Sequence, residues 1–296
     1  MIHVHDVTKR FGDLAAVDRL SVNFGQGITG LVGQNGAGKS TLFRVIAGIY
    51  KSDEGTVDID GKPNLEPEGK ADVFFLSDDP YAPHGANIEG VLDFYQGLFD
   101  IDAERFHALI AKFGLPLGKS IGTFSKGMKR QVFIALALSV NANHLLLDEA
   151  FDGLDPLVVD MIKNEIIDAS TSGKTIVISS HNIFALQKLV DRFVVVANGR
   201  VSKEEEAEGM GAEFVKFQAA FPAPITEKDI EGLGFELVSF HVVGSVTHFV
   251  ILGGKESAQT IKESLKPLFI EPVPLEPDEV VALEMLLAKK GGSDNA

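Results

Sequence analysis

Nine residues between an apolar run and a helical pattern have the types and spacing that bind phosphate. Residues 33–41 read GQNGAGKST and match the pattern G-x-x-x-x-G-K-[ST]. In such a loop, glycines let successive backbone N–H groups surround a phosphate, and the following helix N-terminus adds partial positive charge. Lys39 is placed to reach the outer phosphates, and the Ser40 hydroxyl to ligate magnesium. The sequence therefore predicts a nucleotide site formed by the following loop residues: Gly33, Asn35, Gly36, Ala37, Gly38, Lys39, Ser40 and Thr41.

The loop lies in the context that this pattern requires. Residues 27–33 form a short apolar run typical of a buried strand, and apolar residues recur at helical spacing after the loop. The alternative is an ordinary glycine-rich turn before a helix. Strand, loop and helix together favour the nucleotide site.

Two carboxylates and a histidine follow two other apolar runs. Asp148 and Glu149 come directly after residues 144–147, and His181 comes at the end of a run that starts at residue 174. A helical pattern separates the two runs. The order strand, helix, strand predicts a parallel α/β sheet, and ligands of such sheets bind beyond the carboxyl ends of the strands. These three side chains are therefore candidates for chemistry on the phosphates.

Length and composition limit the class of protein. The 296 residues, 45% of them hydrophobic, are enough for about two domains with packed cores. The absence of cysteine excludes disulfides and thiolate metal sites and fits the reducing cytoplasm. We find neither a secretory signal nor an apolar run near the roughly 20 residues that cross a bilayer, so we expect any membrane role to need a partner. The net charge of −15 argues against a nucleic-acid partner.

The N-terminal part predicts short strands around the loop. Residues 2–8 alternate as a half-buried strand that places His3 and His5 on one face. A metal-binding pair and a solvent-facing pair are both consistent with this pattern, although no third ligand is in view. The strand at residues 73–76 ends at a turn-rich tip where a reactive group such as Asp78 can project.

Helical spacing then predicts a helical insertion at about residues 85–140. Its last helix begins after Ser125, which is a natural N-cap residue. Aromatic side chains recur along the first helices of the insertion. We interpret this stripe mainly as core, with part of it available for docking.

The rest of the chain predicts a second, smaller domain. The acidic and glycine-containing residues 202–211 are interpreted as a linker, which ends the first domain at residue 201. Residues 212–296 follow the ferredoxin-like order of strand, helix, strand, strand, helix, strand. A last amphipathic helix is predicted over residues 278–289.

One hairpin of this second domain has a defined register. Val243-Gly-Ser-Val246 predicts a two-residue turn, which places Phe240 opposite Phe249 and His241 opposite His248. The phenylalanines are expected to face the helices. Facing histidines could bind a metal, but no third ligand is in view.

Across roughly residues 1–200 these ordered motifs resemble the ATP-binding subunit of an ABC transporter of the exporter type. The phosphate loop matches Walker A, Asp148 and Glu149 match Walker B, and residues 124–128 (FSKGM) occupy the place of the signature LSGGQ. The resemblance implies an α/β fold, a P-loop ABC ATPase core with an antiparallel β subdomain and a helical insertion. Here a small α+β, ferredoxin-like C-terminal domain follows this core.

The resemblance also implies roles at the phosphates. Asp148 would hold Mg²⁺ together with Ser40, and Glu149 would be the base that polarises the attacking water. His181 matches the switch histidine that contacts the γ-phosphate. The alternative for Asp148 and Glu149 is an ordinary turn at the end of a strand. The alternative for His181 is a histidine that ends a strand without a role at the phosphates.

Further roles implied by the resemblance concern adenine and a second chain. Phe11 lies where the family stacks an aromatic ring on adenine, although an ordinary packed phenylalanine fits as well. Ser125 and Gly127 would bind the γ-phosphate of the opposite subunit, unless Ser125 is a plain N-cap. Asp155, in Gly-Leu-Asp-Pro, matches the segment that crosses the dimer interface.

Some residues depart from the family pattern. Lys126 and Met128 differ from the usual signature letters, in a form familiar from exporter-type members. Asp78 stands where the family has glutamine or glutamate. Because its side chain is shorter and charged, a water-bridged contact with Mg²⁺ is the contact we expect.

The resulting hypothesis is a subunit that binds and hydrolyses ATP with Mg²⁺ and powers a membrane exporter. Its expected partners are an integral membrane permease and a second ATPase subunit, either another copy or a close relative. The expected place is the cytoplasmic face of the cell membrane. The alternatives are a soluble ABC-type ATPase of DNA repair or translation, and a nucleotide sensor without turnover. Acidic charge disfavours the first alternative, and Glu149 disfavours the second.

Overall fold

The computed structural model describes residues 1–181, 186, 188–207, 213–254 and 257–275, and beyond these only residues 279, 280, 282, 283, 286 and 287. The chain divides into two compact units, Met1–Ala207 and Glu208–Ala296. In the described part of the chain no helix is long and apolar enough to cross a membrane.

The first unit mixes strands and helices. Its elements in chain order are β1 (Ile2–Phe11), β2 (Leu14–Phe24), β3 (Gly27–Val32), α1 (Lys39–Ile46), β4 (Glu54–Ile59), β5 (Lys62–Pro63), α2 (Pro67–Lys70), β6 (Val73–Leu76), α3 (Ile88–Gln96), α4 (Ala103–Lys112), a 3-10 helix (Ile121–Thr123), α5 (Lys126–Ser139), β7 (His144–Leu147), α6 (Pro156–Thr171), β8 (Thr175–Ser180), β9 (Arg192–Ala197) and β10 (Arg200–Glu206).

A six-stranded sheet in the order β10-β9-β3-β8-β7-β6 positions the predicted chemistry. All neighbours except the β9–β10 hairpin are parallel. The strands β7 and β8 are buried along their whole length, which is typical of parallel strands covered on both faces. Since β3, β8 and β7 are direct neighbours, their carboxyl ends bring the phosphate loop, His181 and the two carboxylates to one edge.

A four-stranded antiparallel sheet in the order β2-β1-β4-β5 forms the start of the chain, as predicted. Its apolar side chains, such as Ile2 and Val57, belong to the same buried cluster as Phe43 and Ile46 of α1. The cluster also contains Val177 of the parallel sheet. Helix α1, which follows the phosphate loop, is therefore held by apolar packing that involves both sheets.

The helical insertion consists of α3, α4 and α5. Each helix begins at a side chain that accepts a backbone hydrogen bond: Asn87 from Gly90 N, Asp102 from Arg105 N, and Ser125 from Met128 N. Such caps satisfy donors that a helix start leaves unpaired. Ser125 thus caps α5 as predicted.

The acidic segment after residue 201 differs from the predicted linker. Strand β10 continues to Glu206 and pairs with β9 along its length. Lys203 and Glu205 form an ion pair at 3.2 Å, and Glu204 pairs with Arg192 at 3.1 Å. Because the strand pairing and these cations accommodate the acidic residues, residues 202–206 are a strand rather than a linker. The remaining predicted linker residues 208–211 lie outside the described part of the chain.

The second unit contains β11 (Phe214–Ala220), α7 (Glu227–Glu231), β12 (Glu236–Val243), β13 (Val246–Leu252), α8 (Ser257–Leu265) and β14 (Phe269–Val273). The antiparallel sheet order β12-β13-β11-β14 is that of a ferredoxin-like fold, which confirms the fold prediction. The hairpin has the predicted register, Phe240 with Phe249 and His241 with His248.

The two faces of this sheet pack against different parts of the chain. On one face Phe217 and Phe249 pack with Ile230 of α7 and Ile261 of α8. On the other face Val238 and Val250 pack with Val280 and Leu283. Residues 279, 280, 282, 283, 286 and 287 are helical, whereas the other residues of the predicted last helix, 278–289, lie outside the described part of the chain.

We predict that a chain ending at Ala207 folds and binds ATP, and that a chain ending at Val201 is less stable. The shorter chain loses most of β10, and each backbone hydrogen bond contributes about 1 kcal/mol net. Thermal unfolding followed by titration with a fluorescent ATP analogue compares the two. If the chain ending at Ala207 does not fold or does not bind, the second unit is part of the catalytic fold.

Candidate functional site

The phosphate loop connects β3 to α1. Gly38 is the N-cap residue of α1 and has a φ of 107°, in the left-handed region that favours glycine. A Cβ atom at this position would lie 2.3 Å from the carbonyl oxygen of Ala16. The close approach of β2 to the loop therefore requires glycine here, and α1 begins with its N–H groups directed at the loop.

Lys39 turns back onto the loop. Its Nζ donates to the carbonyl oxygens of Gly33 at 2.6 Å and Gln34 at 3.2 Å, and lies 3.7 Å from Oε1 of Glu149. Burial lowers the pKa of Lys39, and the carboxylates of Glu149 and Asp148 oppose that shift. The ammonium group is therefore held where a phosphate can replace the loop carbonyls as its partner.

Asp148 is fully buried at the end of β7. Its Oδ1 accepts a 2.5 Å hydrogen bond from Ser179 Oγ, whereas Oδ2 has no hydrogen-bond partner among the described residues. Burial raises the pKa of Asp148, and the Ser179 and Ser40 hydroxyls nearby counteract part of the rise. A buried carboxylate with a free oxygen beside a serine hydroxyl fits the hard oxygen ligands that Mg²⁺ prefers.

Glu149 is held in a strained backbone conformation, with a φ of 47°. Its N–H donates to Ser179 Oγ at 3.0 Å, and its Oε2 lies 2.9 Å from His181 Nδ1. Its other oxygen faces Lys39. Ser179 therefore links the Asp148 carboxylate and the Glu149 backbone to the neighbouring strand β8, and His181 and Lys39 orient the Glu149 side chain.

A cleft of about 400 Å³ brings most of the predicted cofactor-binding residues together. Its lining contains the following: Phe11, Leu14, Ala16, residues 35–41, Asp78 and Glu149. Phe11 is 47% exposed, its ring makes a T-shaped contact with Tyr50 at 5.6 Å, and Lys9 Nζ lies 5.8 Å from the ring centroid. Gly33 is buried at the base of the loop, and a Cβ there would lie 2.4 Å from the Val196 carbonyl oxygen.

Asp78 joins this cleft through an exposed side chain. Its Oδ1 is 3.6 Å from Nη2 of Arg44, and the side chain is 56% exposed. Its backbone carbonyl oxygen accepts a 2.7 Å hydrogen bond from Arg130 Nη2. The backbone of Asp78 is therefore held by the helical insertion, while its exposed carboxylate contacts Arg44.

The signature residues lie outside the described lining of the nucleotide cleft. Ser125 is an exposed N-cap, and a Cβ on Gly127 would lie 2.7 Å from the Gly153 carbonyl oxygen. Lys126 donates to Asp152 at 2.6 Å and lowers the pKa of Asp152. The start of α5 is thus packed against the segment that follows Walker B.

Asp155 is also absent from that described lining. It is the N-cap of α6, and its Oδ1 accepts from Leu157 N at 3.0 Å. The residue is exposed. Within one chain its function is therefore to begin α6, which leaves the rest of its carboxylate open to solvent.

Arg130 is a residue that the motifs did not single out. It is 4% exposed on α5 and donates to the carbonyl oxygens of Ser77 at 2.9 Å, Asp78 at 2.7 Å and Asp148 at 3.5 Å. Burial lowers the pKa of Arg130, and neighbouring carboxylates, Asp78 first, oppose this. A lone arginine at the fifth position of a helix gives no sequence signal for a contact with two distant strand ends.

The histidine pairs differ from metal sites in their contacts. His3 and His5 are stacked at 6.5 Å, and His3 Nδ1 lies 2.8 Å from Asn23 Oδ1. Neither belongs to a group of three metal-ligating side chains among the described residues. The same holds for His241 and His248.

Comparison with known proteins places this geometry in a family. The family described as ABC transporter matches residues 17–152. The chain is 31% identical over 206 residues to an uncharacterized ABC transporter ATP-binding protein of Methanocaldococcus jannaschii, covering 67% of this chain and 75% of that protein. It is 30% identical over 242 residues to Nod factor export ATP-binding protein I of Burkholderia lata, covering 77% and 79%.

Solved structures show the same fold. The chain is similar to an ATP-binding subunit of an ABC transporter, with a TM-score of 0.66 at 23% identity over 71% of this chain and 92% of that one. It is also similar to a dimeric ATP-binding cassette bound to ADP and phosphate, with a TM-score of 0.61 at 23% identity over 70% and 99%. With these relatives, and with the phosphate loop, two carboxylates and a histidine at one sheet edge, the chain belongs to the family of ABC transporter ATP-binding proteins.

Proposed function

We propose that this ATPase uses the residues gathered at the sheet edge to hydrolyse ATP between two chains and so powers a membrane exporter. The observation that supports the proposal most is that the motif residues lie in two separate places on one chain. The phosphate loop and Glu149 line one cleft of the chain, whereas Ser125 and Gly127 lie outside its described lining. A second chain is needed to supply the signature to that cleft.

The phosphate loop would bind the ATP phosphates through its backbone N–H groups and Lys39. Phe11 would stack on the base at the open end of the cleft. A phosphate oxygen would replace the Gly33 carbonyl as the partner of Lys39. This exchange favours binding because a charge-assisted bond to phosphate is stronger than one to a neutral carbonyl.

Ser40 and Asp148 are the residues that would hold Mg²⁺, with Asp78 reaching it through a water. Bound there, the ion would neutralise charge on the phosphates. The free, buried Oδ2 of Asp148 supports this assignment, since an unpaired carboxylate oxygen is otherwise costly.

Glu149 would accept a hydrogen bond from the attacking water and so polarise the water toward the γ-phosphate. His181, 2.9 Å from Glu149, would orient that carboxylate and contact the γ-phosphate. Ser125 and Gly127 of the second chain would donate from the start of α5 to the same phosphate. Asp155, exposed at the start of α6, would couple the two sites across the interface.

The second chain would be another copy or a close relative, and the membrane partner an integral permease. A cleft of about 480 Å³ lies between residues 78–85 and α5 on the helical insertion. Beside it the aromatic rings of Tyr81, 62% exposed, and Phe94, 40% exposed, contact each other at 5.4 Å. Such an exposed apolar patch supports docking of a partner, which would hold the chain at the cytoplasmic face of the membrane.

Export is the direction we propose. The relative that is named for Nod factor export aligns over more than three quarters of the chain. The net charge of −15 gives no support to a nucleic-acid partner, so a soluble ATPase of DNA repair or translation is the less favoured function.

The first test of this proposal is Glu149→Gln. Glutamine keeps the size of the side chain but cannot act as a base, so we expect kcat to fall about 100-fold or more while ATP still binds and an ATP-bound dimer accumulates. ATPase assays and size-exclusion with ATP and Mg²⁺ measure both effects. Glu89→Gln, on the exposed surface of α3, is the control. Wild-type turnover in Glu149→Gln would remove this residue from its role.

The second test is Asp78→Gln. Because the Asp78 carboxylate is exposed and Arg130 binds only its backbone, we expect the longer neutral side chain to preserve or raise ATPase activity. Asp79→Asn is the matched control at the next, exposed position. An activity loss of about tenfold or more in Asp78→Gln alone would show that the carboxylate itself has a role.

The third test concerns Arg130 as a positioning residue. We expect Arg130→Gln to lower kcat about tenfold with ATP affinity changed less than about twofold, because the Asp78 segment loses its anchor. Arg130→Lys should restore part of kcat, and Lys129→Gln on the same helix should have little effect. If Arg130→Gln loses ATP affinity and kcat together, the residue is only structural.

A further inference from the structure

The second unit contains a cavity that the nucleotide chemistry does not use. It lies on the sheet face opposite α7 and α8, between β11, β12 and β13 on one side and the described residues 275, 279, 282, 283 and 286 on the other. Its volume is about 440 Å³. Cavities of about 300–1,000 Å³ with mainly apolar walls and a few polar groups are typical of small-molecule sites. We call it the C-terminal cavity.

The apolar walls come from both sides. Val250 on β13 is buried, and Leu283 packs against the same cluster. Leu275 and Leu286 extend the apolar surface toward the opening, where Leu286 is 42% exposed. A ligand with a hydrocarbon or aromatic body of modest size would bury apolar area here.

The polar side chains of the cavity are those of one lysine, two histidines, one serine and one glutamate. His241 and His248 face each other across the hairpin, and Lys216 of β11 lies in the same lining. Lys216 donates to Glu279 at 2.6 Å, and its side chain is 19% exposed. Glu279 is the one carboxylate among the described lining residues, and it is already engaged. The Lys216 ammonium has three N–H donors, so it can bind another acceptor in addition to Glu279.

We propose that the C-terminal cavity binds a small amphipathic carboxylate, with its apolar body against Val250, Leu275 and Leu283 and its carboxylate toward Lys216 and the two histidines. A carboxylate accepts from Lys216 in a charge-assisted bond, and the partly buried setting strengthens that bond. A cationic ligand would instead compete with Lys216 for Glu279. A metal ion is not favoured, since no group of three ligands includes these histidines in the described part of the chain.

The test uses the full chain without nucleotide and the fluorescent probe 11-(dansylamino)undecanoic acid, with its methyl ester as the uncharged counterpart. We expect the wild-type chain to bind the acid with a Kd of about 1–10 µM and to bind the ester at least about tenfold more weakly. Because binding is measured without ATP, its outcome is independent of the ATPase proposal.

Variants locate the bound probe. Lys216→Met should weaken binding of the acid about tenfold and leave the ester unchanged, and Lys216→Arg should restore acid binding. Lys262→Met removes an exposed lysine from α8, on the opposite face, and should change neither. If Lys216→Met does not fold, Leu286→Asp places a negative charge at the exposed opening and should weaken the acid selectively.

Three results would overturn the proposal. The first is the absence of acid binding to the wild-type chain up to about 100 µM. The second is equal affinity of the wild-type chain for acid and ester. The third is an affinity for the acid that does not change in Lys216→Met, or in Leu286→Asp if Lys216→Met does not fold. An equal loss of acid affinity in the control Lys262→Met would count in the same way.

Discussion

The buried carboxylate of Asp148 is the constraint on which the rest of the site depends. It lies at the end of a wholly buried strand, with one oxygen bonded to Ser179 and the other without a partner in the described part of the chain. A charged group in such surroundings is costly, and burial accordingly raises the pKa of Asp148. Without nucleotide, the chain is therefore less stable than it would be with a neutral side chain at this position, where we place the cation. The sheet around it must be rigid enough to maintain this arrangement.

Ser179 shows how the neighbouring strands share that constraint. Its hydroxyl donates to Asp148 and accepts from the backbone of Glu149, so β8 fixes the Asp148 carboxylate and the Glu149 backbone just after β7. The next residues of β8 lead to His181, which contacts Glu149. On the other side of β8, β3 leads into the phosphate loop. Three adjacent parallel strands therefore place Glu149, His181 and the phosphate loop at one edge of the sheet.

Much of this arrangement could be predicted from the sequence, because its short-range patterns of turn, cap and loop residues agree with the fold. The phosphate loop has a fixed spacing, and the hairpin at Gly244 has turn chemistry that determines the register of Phe240 and His241. Polar caps such as Ser125 mark helix starts directly.

Other features could not be predicted because they depend on contacts distant in sequence. The acidic end of β10 has a linker-like composition, yet Arg192 and pairing with β9 make it a strand. Arg130 acquires its partners only when α5 packs beside the ends of β6 and β7. The C-terminal cavity arises where Leu275, Leu283 and their described neighbours lie over the second sheet face, which composition does not indicate.

The most direct test of the central claim compares thermal unfolding of the wild-type chain and Asp148→Asn, with and without ATP and Mg²⁺. An amide can accept from Ser179 without a buried charge, so we expect the nucleotide-free Tm of Asp148→Asn to equal or exceed that of the wild type. The Tm increase that ATP and Mg²⁺ give the wild type should be lost in the variant, and ATP with EDTA should also give the wild type less stabilisation. A lowered nucleotide-free Tm together with an unchanged increase on adding ATP and Mg²⁺ would contradict the account.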